Sequence, residues 1–247
     1  DIIVLDGLKL DFIDSFHVGG DDRAIAENYA GRDIHSLPEA VDVLLSGIIR
    51  RLRELKPEIM IEFRQSYIGP AIRKFGNIFR AADCAFDMLQ NRVRTLDLRL
   101  LSGNTAVHSD MLIWSKEETP EVAALQILNV IFSTPQISCM LTELPPSHLR
   151  MLTFWMSFCM RHRKTLQEST LRPEHPELSY PVVTAESAEE TITALYETEH
   201  VVRLNASHRH IVLNATHAPE LLVETPHPRK CIVFNTFGEE VLRSEVS

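Results

Sequence analysis

Strands and helices alternate through about residue 170, no G-x-G-x-x-G follows the first strand, and each strand ends in polar or charged side chains. Together these predict an α/β chain built from βα units of a (β/α)8 TIM barrel, with a small antiparallel β-domain behind it. Alternation at this spacing calls for parallel strands joined by crossover helices. The missing glycine fingerprint disfavours a dinucleotide-binding fold. Charged strand ends suit a barrel, whose active site gathers side chains from several strands at one face.

The elements follow in order. "DIIVLDGLKLDF" is a β-branched and Leu run, as in a strand covered on both faces. "HVGGDDRAIAENYAGRD" is polar and Gly-bearing and reads as a loop. "SLPEAVDVLLSGIIRRLRELK" has Ser36 as its cap and apolar residues at helical spacing. "PEIMIEF" is a second strand, "RQSYIGP" its loop, and "GNIFRAAD" a third short strand. "AFDMLQNRVRTLDLRLLSG" reads as a helix stopped near Gly103. "TAVHSDMLIW" is a fourth strand, and "TPEVAALQILNVIFS" a helix with Pro120 in its first turn. "PQISCMLTEL" is a fifth strand, and "PSHLRMLTFWMSFCMRHRKTL" a long helix whose Met151, Met156 and Met160 are expected in the core with Trp155. The remainder breaks into short β-rich runs, with one helix expected near Ala188–Tyr196. Prolines in a polar stretch between Pro173 and Pro181 set a boundary, giving 1–172 for the partial barrel and 173–247 for the β-domain.

Bulk properties narrow the function. The chain of 247 residues is 45% hydrophobic, enough for a sizeable core. Its net charge of -9 argues against a nucleic-acid backbone binder, which needs a basic surface. From Leu171 onward 12 Asp and Glu face 6 Lys and Arg, the pattern of a solvated surface. Cys84, Cys139, Cys159 and Cys231 are scattered, with no C-x-x-C, so they are expected as buried reduced thiols. No apolar run reaches the roughly 18 residues of a membrane span, and no signal peptide is visible, so a cytoplasmic protein is expected.

Two constellations carry chemistry. Lys9 and Asp11 are two residues apart on a strand and share a face. A cation beside a carboxylate favours the charged form, which a nucleophile at an acetal carbon requires. The plain alternative is a structural ion pair. "FRAADCAFD" holds Arg80, Asp83 and Asp87 after another strand. There a second carboxyl would serve as general acid and then base, the alternative being helix capping by Asp83 or Asp87. The two groups lie two βα units apart, and the strand between them ends at Glu62–Arg64. His108 and Asp110 alternate on the fourth strand, facing a barrel pocket. Trp114, just past that strand, is placed to stack on a sugar face, whereas His208 and His210 read as exposed strand histidines.

"GLKLDFID" resembles the K-x-D-F nucleophile strand of the melibiase type of α-galactosidase, a clan D retaining glycoside hydrolase. "NIFRAADCAFDMLQNR" is similar to that family's acid/base segment, and "TAVHSDMLIW", "EVAALQILNVIFSTPQISCML" and "HRKTLQ" fall in the family's order. The resemblance covers roughly residues 1–170. It implies retaining hydrolysis of a terminal α-galactosyl group, with no metal or cofactor. By it Asp11 would be the nucleophile and Asp83 the acid/base, with Lys9 and Arg80 on sugar hydroxyls; Arg64, His108 and Asp110, at neighbouring strand ends, are expected to bind the substrate as well. Two segments depart from the pattern: "EFRQSYIGPA" stands for a Cys- and Gly-rich stretch, and "RAAD" for W-x-S-D. The implied partners are an oligosaccharide or galactoside, and neither nucleic acid nor membrane. The family's nucleophile strand is the fourth of eight, so the chain is expected to be a fragment with strands four to eight, whose open edge favours a homo-oligomer. Two other classes stand beside this one. One is a non-catalytic carbohydrate-binding or assembly module. The other is a metal-dependent barrel hydrolase using His108, Asp110 and Asp11.

Overall fold

The computed structural model describes residues 5–11, 31, 33–64, 69–204 and 209–246. The chain is mixed α/β with parallel strands and divides into two compact units, Asp1–Arg80 with Leu101–Thr105, and Ala81–Leu100 with Ala106–Ser247. Most of the loop expected at 17–33, the loop residues 65–68, Asp14 and His208 lie outside the described residues.

In the first unit, strands β1 (Gly7–Leu10), β2 (Met60–Arg64) and β3 (Ile78–Arg80) pair side by side in parallel. Helix α1 (Leu37–Leu55) links β1 to β2, as a parallel pair demands. It starts where expected: the Ser36 hydroxyl accepts the Glu39 N–H at 3.4 Å, with Pro38 in the first turn. Leu45 and Ile49, one turn apart, are buried. Ile61, Phe63 and Phe79 are almost fully buried, and the two Phe rings stack with centroids 6.3 Å apart. Gly76 allows this, because a Cβ there would lie 2.4 Å from the Phe63 ring. Side chains alternate along each strand, so the apolar Leu8, Leu10, Ile61, Phe63 and Phe79 share one face of the three strands.

In the second unit, helix α2 (Met88–Leu101) is followed by β4 (Ala106–Leu112), α3 (Pro120–Asn129), β5 (Thr134–Ile137) and α4 (Pro146–Arg161). β4 and β5 are parallel, with α3 between them in sequence. Thr119 caps α3, and Pro120 opens it. One extra residue on β4 makes a bulge between His108 and Met111, so strict alternation does not carry through the strand. The Ser109 hydroxyl accepts the Gln136 N–H there at 3.0 Å.

The C-terminal strands begin with β6 (Thr170–Glu174), so the boundary expected at 172/173 falls within a strand. β6, β7 (Val182–Glu186) and β8 (Glu190–Leu195) are antiparallel neighbours. β8 occupies the segment expected to be helical. All six of its residues are buried, and the β-branched Thr191, Ile192 and Thr193 favour a pleated surface packed on both sides. The sheet is also mixed rather than antiparallel throughout. β10 (Arg209–Asn214) joins β8 in parallel, as β11 (Leu222–Glu224) joins β9 (Val201–Arg203). β12 (Arg229–Phe234) and β13 (Glu240–Val246) form an antiparallel pair. One apolar core runs from Leu96 and Leu112 through α3 and α4 into Val183, Ile192 and Leu213.

Between β6 and β7, His175, Ser179 and Tyr180 all hold positive φ (55°, 61° and 59°). Such backbone is unfavourable for side chains with a Cβ and persists only when its surroundings fix it. Here Arg92 donates to the Ser179 carbonyl at 3.2 Å, and the Tyr180 hydroxyl donates to Asp97 at 2.6 Å.

Candidate functional site

The β1–β2–β3 register sets one group of candidate residues within the first unit. Leu10 pairs with Phe63 and Phe63 with Phe79, and Arg64 pairs with Arg80 in the next row. Asp11 follows Leu10 and so enters that same row, on the face opposite Phe63 and Phe79. Its carboxylate accepts a hydrogen bond from Arg64 Nη1 at 3.2 Å. Lys9 and Glu62 form the row behind, also paired in register. The carboxyl ends of three adjacent parallel strands thus present Lys9, Asp11, Glu62, Arg64 and Arg80 together. Arg80 is buried, whereas Asp11 and Lys9 reach solvent. Arg64, not Lys9, makes the 3.2 Å contact with Asp11.

A separate group of candidate residues lies in the other unit, on the loop between β3 and α2. Asp83 is exposed there. Its backbone carbonyl accepts from Arg94 Nη1 at 2.9 Å. The N–H of the next residue, Cys84, donates to Asp110 Oδ2 at 2.5 Å. Asp87 is the helix cap, since its carboxylate accepts the Gln90 N–H at 2.9 Å. That leaves the Asp83 side chain on the loop, outside the cap.

His108 and Asp110 differ in setting. His108 is half-buried, and its Nδ1 lies 3.0 Å from Gln136 Nε2. Asp110 is fully buried. Its N–H donates to Asn91 Oδ1 at 3.0 Å, and Asn91 Nδ2 donates back to its carbonyl at 3.3 Å. Burial, and then the Asp110 carboxylate, push the Cys84 thiol up to about 11, with Arg94 opposing. Cys84 is therefore a neutral thiol at neutral pH rather than a nucleophile.

Asn91, Arg94, Ser109 and Gln136 were not singled out from the sequence. Asn in a helix interior is a weak signal of a tertiary bond, because its amide otherwise competes with the helix backbone. Arg94 carries no such signal. Other expectations are corrected. Trp114 is buried, with its Nε1–H donating to His148 Nδ1 at 3.1 Å, and is not free to stack on a sugar. Met160 is 75% exposed, although Met151 and Trp155 are buried. His210 is half-buried and bonded to Thr193 at 3.2 Å. Only Cys159 of the four cysteines is fully buried, and all four are free thiols. Among the described residues, no group of three or more His, Cys, Asp or Glu side chains converges as a metal site requires, and no helix is long and apolar enough to cross a membrane.

No family model matches the chain, and no curated protein matches it.

Proposed function

We propose that the chain carries the acid pair of a retaining glycoside hydrolase acting on terminal α-galactosyl groups, its parallel βα units being part of a (β/α)8 barrel. The observation that supports this best is the row Asp11–Arg64–Arg80 at the carboxyl ends of β1, β2 and β3, with Lys9 on the same face. A carboxylate held by a guanidinium at the ends of parallel strands suits a nucleophile that must stay anionic and fixed.

In this mechanism Asp11 attacks the anomeric carbon and forms a glycosyl ester as the bond to the leaving oxygen breaks. Asp83 gives that oxygen its proton. Asp83 then takes a proton from water, which attacks the same carbon and releases Asp11. Lys9, Arg64, Arg80 and His108 donate to sugar hydroxyls. The double displacement calls for neither metal nor cofactor, since nucleophile and acid/base are both carboxyl groups. The galactose preference rests on the likeness of "GLKLDFID" and "NIFRAADCAFDMLQNR" to the melibiase type.

The test is hydrolysis of an aryl α-galactoside by this chain and by a longer polypeptide containing it, each beside its Asp11→Asn variant. Turnover that the variant lacks, with its fold intact by circular dichroism, supports the reading. Equal turnover in the variant overturns it. Sugar binding without turnover in any of the four proteins would instead favour a binding module.

A further inference from the structure

The peptide group between Asp83 and Cys84 is held at both ends by side chains of other elements. The carbonyl of that group belongs to Asp83 and the N–H to Cys84. Arg94 donates to the carbonyl at 2.9 Å, and Asp110 accepts the N–H at 2.5 Å. One peptide plane is therefore pinned at both ends by charged side chains, and bonds of this kind are stronger than neutral ones. The plane fixes the backbone at Asp83 and with it the direction in which the carboxyl leaves the chain.

Asp110 is suited to this task by its own mounting. It is fully buried, so its carboxylate has given up water and depends on hydrogen bonds for compensation. Its backbone is bracketed on both sides by Asn91, itself buried within α2. Asn91 in turn donates its N–H to the carbonyl of Asp87, at the far end of the same loop. Strand β4, helix α2 and the 81–87 loop thus close on one another through Asp110.

We infer that Asp110 is the positioning residue for Asp83, acting through the Asp83–Cys84 peptide and not on a sugar hydroxyl. This inference rests on the glycosidase reading and adds to it a role for a buried carboxylate that never meets the substrate. It replaces the sugar contact expected of Asp110 from the strand pattern.

A misaimed acid/base leaves a distinct trace. Poor leaving groups need a proton and activated ones do not, while azide attacks the glycosyl enzyme without a base. Asp110→Ala is expected to cut kcat/KM for an alkyl α-galactoside about 100-fold, and for a dinitrophenyl α-galactoside only about threefold. Azide should raise turnover of the dinitrophenyl substrate by that variant. Asp110→Asn keeps an oxygen for the Cys84 N–H and should retain most activity on both substrates, which also covers the case in which the Ala variant fails to fold. Equal losses on both substrates without azide rescue, or a rise in KM alone, would overturn the inference while leaving the glycosidase reading intact. Lack of turnover of both substrates by the longer polypeptide as well as by this chain would overturn the reading itself. The Cys84 amide should exchange slowly in wild type and in Asp110→Asn, and fast in Asp110→Ala. Unchanged exchange in Asp110→Ala would also refute the positioning role.

Discussion

Cys84 sits one residue past the candidate acid, and its thiol reports on that neighbourhood. Burial and the Asp110 carboxylate push it up to about 11 from the usual 9.0. Because the thiolate is the reacting form, alkylation by iodoacetamide should be slow at pH 8 and keep rising past pH 10, where an ordinary exposed thiol levels off. Asp110→Asn removes the repulsion and should bring the rise to lower pH. Fast labelling of Cys84 at pH 8 in the wild type would contradict this setting. The residues themselves were legible to different degrees. Lys9, Asp11, Arg64 and Arg80 stood out because a strand shows its facing in its sequence, so that charges at the ends of parallel strands gather on one side. Trp114 misled, since an indole beyond a strand end reads alike whether it faces a pocket or a core. Its buried bond to His148, 34 residues on, leaves no mark in the local pattern. Arg94 was silent because its bond goes to a backbone carbonyl, which any residue carries.

At the level of elements, the helix starts were the most readable. Ser36 caps as its sequence announces, with Pro38 two residues on, and α3 opens at the expected Pro120, capped by Thr119. The end of α2 was readable too. Gly103 has φ +61°, and a Cβ there would lie 2.3 Å from Arg73 Nη2. Gly103→Ala should therefore destabilise by about 1–2 kcal/mol, seen as a lower denaturant midpoint with an unchanged slope. No change in midpoint would show that the turn relaxes freely. The segment of β8 was misread because "AEETITAL" mixes helix-favouring and β-branched residues, and tertiary burial decided the outcome. The same sheet offers a pH test. Burial, then Arg229, hold the His210 imidazole below its ordinary 6.5, with Glu186 opposing. The unfolded chain then binds more protons just below pH 6.5 than the folded one. Stability is complete above that pH and falls as the pH drops beneath it. His210→Gln should flatten that part of the thermal unfolding profile, and an unaltered slope would remove His210 from the explanation.

For the whole molecule, the decisive feature is the continuity of the second unit's core. Met151, fully buried on α4, shares a cluster with Val183 and Ile192 of the C-terminal sheet. Met151→Ala should cost about 2–5 kcal/mol by transfer and cavity terms together. Intrinsic fluorescence and far-ultraviolet dichroism should report one coincident transition for this unit. Separate transitions for its helices and its sheet would show that the core is not shared. The parallel βα order of the first 170 residues was legible because strand runs alternate with helices whose starts are marked by Ser36 and Pro120. The mixed pairing of the C-terminal strands was not, since the choice between parallel and antiparallel neighbours depends on long connections whose path the local sequence does not encode.

The two-sidedness of β1, β2 and β3 has a consequence for how such a chain can diverge. Phe79 and Arg80 are consecutive residues that look in opposite directions, one into oil and the other toward the acid. A single-residue insertion within Ile78–Arg80 would exchange them, moving a guanidinium among the Phe side chains and putting a phenyl ring in its place. These short strands therefore behave like a reading frame. Substitutions within them can be judged one at a time, but length changes there are lethal to the site and the core together. Lengthening should be found only in the connections, where no alternation has to be kept.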